Sequence, residues 1–166
     1  MPQWRQVSER VESGINKLIR TEQNKGKKNI QVLDDGNCFV CGKDNPIGFK
    51  AVFEINSKLR QAQTTVRIPE TCQGWKGITH GGIISALLDE ISAQACIGAG
   101  IKIVTKEMHL RYRAPVPTGS EVTVIGEVVG QRRRLVDVKA RLELDGKIMA
   151  EADVVMYRTD MHKTQD

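Results

Sequence analysis

The stretch from residue 80 to residue 90, His-Gly-Gly-Ile-Ile-Ser-Ala-Leu-Leu-Asp-Glu, decides how the rest of the chain is arranged. From Ile83 onward, apolar residues recur at helical spacing as far as Ala95, which predicts a largely buried helix that ends near Gly98. Two glycines at a helix start carry a propensity cost, which is explained if their backbone N–H groups must approach a ligand closely. An electron-rich oxygen is the natural candidate for that ligand.

One narrow polar stripe runs along this predicted helix. Its members are Ser85, Asp89, Ser92 and Cys96, which share a face because they follow one another at i, i+4, i+7 and i+11. A carboxylate on an otherwise apolar helix face needs a reason, so Asp89 is the first candidate for a functional residue. Glu90 lies roughly 100° around the helix from Asp89, so only one of the two can face a given site.

Length and composition limit the classes of protein that the chain can belong to. The 166 residues fit one domain that buries roughly two-thirds of its unfolded surface. A formal net charge of +5 would attract a phosphate-bearing ligand, but an aromatic content of 4% leaves few rings to stack on bases, so we expect no nucleic-acid partner. Because no apolar run reaches the roughly 20 residues of a membrane span, we expect a cytoplasmic protein without a membrane partner.

The sequence divides into three parts. Residues 1–28 carry apolar side chains near heptad spacing with charged residues between them, which predicts an amphipathic N-terminal helix that packs on a protein surface. A helix that lies on a membrane surface is the alternative. Residues 29–158 form the main predicted domain, and residues 159–166 form a polar tail.

Cys38 and Cys41 have the C-x-x-C spacing that is typical of a zinc knuckle or a redox pair. Zinc usually takes four ligands, and the remaining Cys72 and Cys96 stand alone in the sequence. We therefore expect a plain turn through residues 38–48, reduced cysteines, and neither a metal site nor a cofactor. The zinc site and the redox pair remain the alternatives.

Alternating apolar and polar residues predict six half-buried strands, two before the helix and four after it. The predicted strands are residues 49–55, 62–68, 103–113, 121–129, 135–144 and 148–157. Residues 69–79 are predicted to be a loop, and residues 130–134 and 145–146 to be hairpin turns. This pattern indicates an α+β fold in which a curved antiparallel sheet wraps around one long central helix.

Several motifs at this point resemble those of the hotdog-fold acyl-CoA thioesterases of the phenylacetate-pathway (PaaI) type. They are His80-Gly81-Gly82 followed by Asp89, the strand end Tyr112-Arg113-Ala114-Pro115, the hairpin Asp145-Gly146-Lys147 and the lead-in at residues 38–48. The resemblance covers residues 38–158. It implies the hotdog fold, hydrolysis of an acyl-CoA substrate to a free acid and CoA, and a homodimer or dimer of dimers.

The resemblance also implies roles for individual residues. Asp89 would act as nucleophile or general base, and the Gly81 backbone N–H would be the oxyanion donor, with Gly82 beside it as a second donor. His80 is carried over as the residue that orients this loop, with a purely capping role as the alternative. Thr105 stands where a Ser or Thr of the family helps to position the attacking water.

Further residues are candidates for binding the substrate. Gln73 would lie near the thioester carbonyl, and Trp75 would line the mouth of the acyl pocket. The CoA phosphates would meet basic side chains at Arg111, Arg132, Arg133 and Arg134. A solvent-facing loop and a solvated basic turn are the plainer interpretations of these residues.

Two other functions stay open at the level of sequence. Hotdog domains also serve as non-catalytic acyl-CoA binding or sensing proteins, and a dehydratase or hydratase can use the same fold with a His base. The helical Asp89 favours the thioesterase.

Overall fold

The computed structural model describes residues 35–159. In this range one helix and eight strands follow each other along the chain. They are β1 (Glu54–Asn56), β2 (Gln61–Arg67), β3 (Gln73–Trp75), β4 (Ile78–Thr79), α1 (Gly81–Gly98), β5 (Ile103–Tyr112), β6 (Glu121–Arg132), β7 (Leu135–Leu144) and β8 (Lys147–Arg158). The predicted N-terminal helix and the tail beyond residue 159 lie outside the described residues.

Six of the strands form one sheet in the order β1-β2-β6-β7-β8-β5, and every neighbouring pair is antiparallel. Helix α1 lies against this sheet, mainly on β6, β7 and β2. Its buried face carries Leu87, Leu88 and Ile91, each at most 2% exposed, and each such side chain contributes roughly 1.5–3 kcal/mol of burial. The predicted α+β fold with one central helix is confirmed.

The helix backbone comes unusually close to the centre of the sheet. A Cβ atom placed on Gly126 of β6 would lie 2.7 Å from the carbonyl oxygen of Ile91, so this strand position accepts only glycine without a shift. At the helix end, Gly100 adopts a φ of +77°, and the Ile101 N–H donates to the Cys96 carbonyl at 3.0 Å. A left-handed glycine of this kind ends a helix by satisfying its last carbonyls.

The predicted first strand is wrong over residues 49–53. Strand β1 begins only at Glu54, because the preceding segment bonds to the turn at residues 38–41 instead of to the sheet. The Phe49 N–H donates to the Phe39 carbonyl at 3.0 Å, and the Ala51 N–H donates to the Val40 carbonyl at 2.9 Å.

The loop predicted at residues 69–79 is also wrong in part. It contains a short 3₁₀ turn at Glu70–Cys72 and the two-stranded ladder of β3 and β4. These strands are too short to show an alternating pattern, so periodicity could not reveal them.

A β-bulge interrupts strand β5, since the pairing with β8 shifts between Thr105 and Glu107. Lys106 is the extra residue, and it exchanges the two faces of the strand at that point. Simple alternation along residues 103–113 predicts that Val104 lies on the buried side with Met108, but Val104 is 39% exposed. The bulge therefore corrects the predicted facing of the first part of β5.

Both predicted hairpins are present. Asp145 and Gly146 have φ values of 51° and 75°, as a two-residue turn of type I′ requires. The other turn is shorter than predicted, because β6 continues to Arg132 and leaves Arg133 and Arg134 to connect it to β7. No helix within residues 35–159 is long and apolar enough to cross a membrane.

Candidate active site

Asp89 and Thr105 meet where helix α1 crosses the start of strand β5. The Thr105 hydroxyl donates to Asp89 Oδ1 at 2.8 Å, and the Asp89 side chain is half-buried. One carboxylate oxygen is thus held by a neutral donor from another element. The hydrogen bond fixes the orientation of the carboxylate without neutralising its charge.

The bulge in β5 makes this contact possible. In a regular strand, Thr105 would share a face with Glu107 and His109, away from the helix. With Lys106 inserted, Thr105 shares the helix-facing side with the buried Ile103, while Met108 and Leu110 continue that side beyond the bulge. A positively charged residue at an apolar position of the alternation was the sequence signal of this irregularity.

The helix begins at Gly81, and His80 is its N-cap. The His80 Nδ1 atom accepts from the Gly82 N–H at 2.9 Å. The Gly82 N–H is therefore occupied, which argues against its expected role as a second oxyanion donor. The Gly81 N–H has no acceptor within residues 35–159, and it lies at the positive end of the helix dipole.

Tyr112 is a part of the site that the sequence did not assign. Its hydroxyl donates to the Gly81 carbonyl at 2.8 Å and so ties the end of β5 to the first turn of the helix. Sequence analysis had placed Tyr112 only in the Tyr-Arg-Ala-Pro motif, and nothing in that motif indicates a contact with a glycine 31 residues earlier.

An apolar groove of about 350 Å³ opens beside this first turn. Its lining residues are Ile78, Thr79, Gly81, Ile84, Tyr112, Arg113, Ala114, Pro115 and Val116. The groove is thus bordered by the same glycine whose N–H finds no acceptor among the described residues. Its aliphatic walls suit a hydrocarbon group better than a charged one.

Gln73 and Trp75 lie on the small ladder next to the helix start. The Gln73 side-chain oxygen accepts from the Gly77 N–H at 2.6 Å, which closes the turn between β3 and β4. Trp75 is 81% exposed. The roles expected for both residues toward a substrate stay predictions.

The four arginines fall into two separate groups. Arg111 pairs with Asp153 at 2.7 Å, and this hydrogen bond holds the pKa of the Asp153 carboxyl below its usual range. Arg111 stands opposite Glu151 on β8, whereas the turn after β6 stands level with Tyr157. Six residues of strand, roughly 20 Å, therefore separate Arg111 from the other three arginines.

The hairpin arginines differ in how firmly they are held. Arg132 lies 3.2 Å from Asp137, and Arg134 donates to the Tyr157 hydroxyl at 3.0 Å. Arg133 occupies the exposed turn with a φ of 53°.

Glu90 faces a different neighbour from Asp89. Its carboxylate accepts from the Cys38 thiol at 3.4 Å, and Cys41 lies in the same cluster. Burial and hydrogen bonding to Glu90 raise the pKa of the Cys41 thiol well above its ordinary value. The structure thus separates the two adjacent carboxylates, and only Asp89 meets the threonine of β5.

Comparisons with known proteins identify relatives of this chain. The family model described as the thioesterase superfamily matches residues 76–156. Mouse acyl-coenzyme A thioesterase 13 is 29% identical over 112 residues, which cover 63% of this chain and 80% of that protein. A crystal structure of a thioesterase superfamily protein superposes with a TM-score of 0.70 at 22% identity, covering 90% of this chain and 77% of that one.

A hypothetical thioesterase from Streptococcus pneumoniae, solved with coenzyme A, superposes with a TM-score of 0.61 at 21% identity, covering 65% of this chain and 84% of that one. Two further structures of that protein carry single alanine substitutions, one of an aspartate and one of a threonine sixteen residues later. The family match spans α1 and strands β5 to β8, which hold Asp89, Thr105 and Gly81. The thioesterase superfamily model thus matches 81 of the 166 residues, from just before β4 into β8, and the protein is a thioesterase with the hotdog fold.

Proposed function

We propose that the protein hydrolyses an acyl-CoA thioester to a free acid and CoA. The Asp89–Thr105 hydrogen bond is the observation that carries this proposal, because it presents an oriented carboxylate on an otherwise apolar helix. The pair is sixteen residues apart, the same spacing as the aspartate and threonine that were substituted in the CoA-binding Streptococcus protein. The mouse relative, named for acyl-CoA hydrolysis, supports the same substrate class.

Asp89 supplies the group that attacks or activates water. As general base, its free oxygen takes a proton from water while the resulting hydroxide adds to the thioester carbon. As nucleophile, the same oxygen adds to that carbon directly and forms an anhydride that water then cleaves. In both cases the C–S bond breaks and CoA leaves as a thiolate, while Thr105 keeps the carboxylate in position.

The Gly81 N–H stabilises the carbonyl oxygen as it gains negative charge. A backbone donor at the helix start is already oriented, and the helix dipole adds to it. Removing one such donor from comparable sites lowers kcat by a factor of about 10²–10³. His80 acts as a positioning residue, because its bond to Gly82 fixes the turn that presents Gly81.

The distance between Gly81 and Asp89 requires two copies of the chain. Eight residues of helix rise about 12 Å, whereas groups that act on one thioester must approach it within roughly 3–3.5 Å. The two residues can serve one substrate only if Gly81 of one protomer faces Asp89 of another. Strand β5 is a ten-residue edge strand of the sheet, which suits pairing with a second copy.

The other candidate residues would contact the acyl group and the CoA phosphates, away from the thioester bond. The apolar groove beside Gly81 accepts the acyl group, with Trp75 at its approach and Gln73 on the neighbouring turn. The hairpin arginines Arg132, Arg133 and Arg134 meet the CoA phosphates, and Arg111 lies too far from them to join that contact.

The test is a panel of acyl-CoA substrates of varied chain length, with release of free CoA followed over time. Asp89→Asn keeps the size of the side chain and removes its basicity, so kcat falls by about 10²–10⁴ with KM little changed. The matched control is Asp145→Asn, because Asn-Gly fits the same type I′ turn far from the site. Tight binding of acyl-CoA without turnover by the wild-type protein would instead support the acyl-CoA sensor.

A further inference from the structure

The lead-in turn, residues 38–42, brings two thiols to a carboxylate of the helix. One ligand atom from each of Cys38, Cys41 and Glu90 lies within 4.8 Å of the other two, and all three side chains are half-buried. Glu90 is 52 residues from Cys38 along the chain, so the sequence alone could not show this third donor. None of these three residues takes part in the proposed hydrolysis.

The backbone of the turn is arranged around the Cys38 sulfur. The N–H groups of Val40 and Cys41 both point to this sulfur, at 3.4 and 3.5 Å. The chain can close this way only because residue 42 is glycine, where a Cβ atom would lie 2.4 Å from the Cys38 nitrogen. Two N–H groups on one sulfur fix the position of that atom relative to the turn.

The carboxylate is held in place from its other side. The Gln94 side-chain amide donates to Glu90 Oε1 at 2.8 Å, which leaves Oε2 directed at the thiols, 3.4 Å from Cys38 Sγ. A hydrogen bond to the far oxygen of a ligating carboxylate orients the ligand before an ion binds. The three donor atoms are therefore fixed by separate contacts.

The spacing of the donors fits a tetrahedral zinc ion. Zinc lies about 2.3 Å from sulfur and about 2.1 Å from oxygen, so a tetrahedral site separates these two ligand atoms by about 3.6 Å. The observed sulfur-to-oxygen distance of 3.4 Å is close to that value. Calcium and magnesium prefer all-oxygen sites, whereas two thiolates and one carboxylate suit zinc.

We propose that Cys38, Cys41 and Glu90 bind one zinc ion, with water at the fourth position. Binding displaces the thiol protons into solvent, and the ion offsets the repulsion among three negative groups. It joins the lead-in segment to the helix one residue away from Asp89. Its role is structural, because Glu90 faces away from the Asp89–Thr105 pair.

The test measures metal in the full-length protein, purified without chelators and with any affinity tag removed. After dialysis, we expect about one zinc ion per chain by mass spectrometry in the wild type and in the control Cys72→Ser. Cys72 is a half-buried thiol outside the cluster. Cys41→Ser should retain less than about a tenth of an equivalent.

A second variant guards against a folding defect in Cys41→Ser. Glu90→Gln keeps both thiols and the size of the side chain, and its zinc affinity in chelator competition should be at least about tenfold weaker. In the wild type, cobalt added to the metal-free protein should give a thiolate charge-transfer band, and zinc removal should lower the melting temperature.

Three results would overturn the proposal. The first is wild-type protein without zinc whose Cys38 and Cys41 are both free. The second is a Cys38–Cys41 disulfide in the purified protein, which would support the redox pair. The third is equal zinc content in the wild type and Cys41→Ser, which would place the ion elsewhere.

Discussion

Asp89 and Glu90 are neighbours in sequence but lie in different chemical surroundings. The helix turns by about 100° between them, which directs one to the threonine of β5 and the other to a pair of thiols. The sequence showed that only one of them could face the active site, and family resemblance favoured Asp89. The structure adds the partner of each carboxylate.

The Thr105 hydroxyl should act by positioning Asp89. Thr105→Val removes the hydrogen bond at almost constant volume, and since a bond to a charged group contributes about 1.5–3 kcal/mol, kcat should fall roughly 10- to 150-fold. Thr105→Ser retains the hydroxyl and should keep most of the activity. Steady-state kinetics of the two variants decide the matter, and equal loss in both would assign Thr105 a packing role instead.

Thr105 shows which features of a single residue could be predicted from the sequence. Its candidacy came from resemblance, while the alternation of β5 placed it on the face away from the helix. Only the bulge at Lys106 accounts for both, and its one local sign in the sequence is a charged residue where the alternation expects an apolar one. The contact of Glu90 with Cys38 could not be predicted from the sequence, because the two residues are 52 positions apart.

The sequence predicted the long helix and the long strands best. Helix α1 and strands β5 to β8 each carry ten or more residues, and their periodicity predicted them within a few residues. The short strands were not predicted correctly. Strand β1 and the β3–β4 ladder have two or three residues per strand, and their pairing is fixed by neighbours that the local sequence does not specify.

The hairpin between β6 and β7 should act on CoA and not on the bond that breaks. Arg133→Gly removes one charge and relieves the positive φ at that position, so the fold is retained. An exposed charge contact contributes about 0.2–1 kcal/mol, so KM for acyl-CoA should rise by roughly 1.5- to 5-fold with kcat unchanged.

Two controls make this prediction specific. Lys147→Ala removes an exposed charge at the opposite hairpin of the sheet and should leave KM unchanged. A short pantetheine thioester, which lacks the nucleotide phosphates, should not distinguish Arg133→Gly from the wild type. A rise in KM for that substrate as well would remove the hairpin from the CoA site.

The N-terminal segment, residues 1–28, is predicted to stabilise the whole molecule. Residues 1–28 carry an apolar stripe that we expect to cover a protein surface, and they lie outside the described residues. Deleting them should lower the melting temperature and make it more dependent on protein concentration, while the folded remainder keeps its kcat. Calorimetry and kinetics on the same sample test this, and lost activity at an unchanged melting temperature would identify a lid instead.

The central claim is a thioesterase site that two protomers share, and subunit complementation tests it most directly. Asp89→Asn removes the base, and Gly81→Pro removes the oxyanion donor. Proline suits the first position of a helix, and His80 before it has the extended backbone that proline requires. The Cβ of this proline would lie 3.0 Å from the Tyr112 hydroxyl, so the half-exposed Tyr112 ring must shift by a few tenths of an ångström. Each variant alone should be nearly inactive.

When the two variants are unfolded together, refolded and assayed, mixed dimers should form with one intact site in each. Random pairing makes about half of the dimers mixed, so activity should recover to about a quarter of the wild-type value. Wild-type protein refolded in parallel provides the reference. If the mixture stays as inactive as its parts while sedimentation shows mixed dimers, Asp89 and Gly81 do not act together across the interface, and the shared site is contradicted.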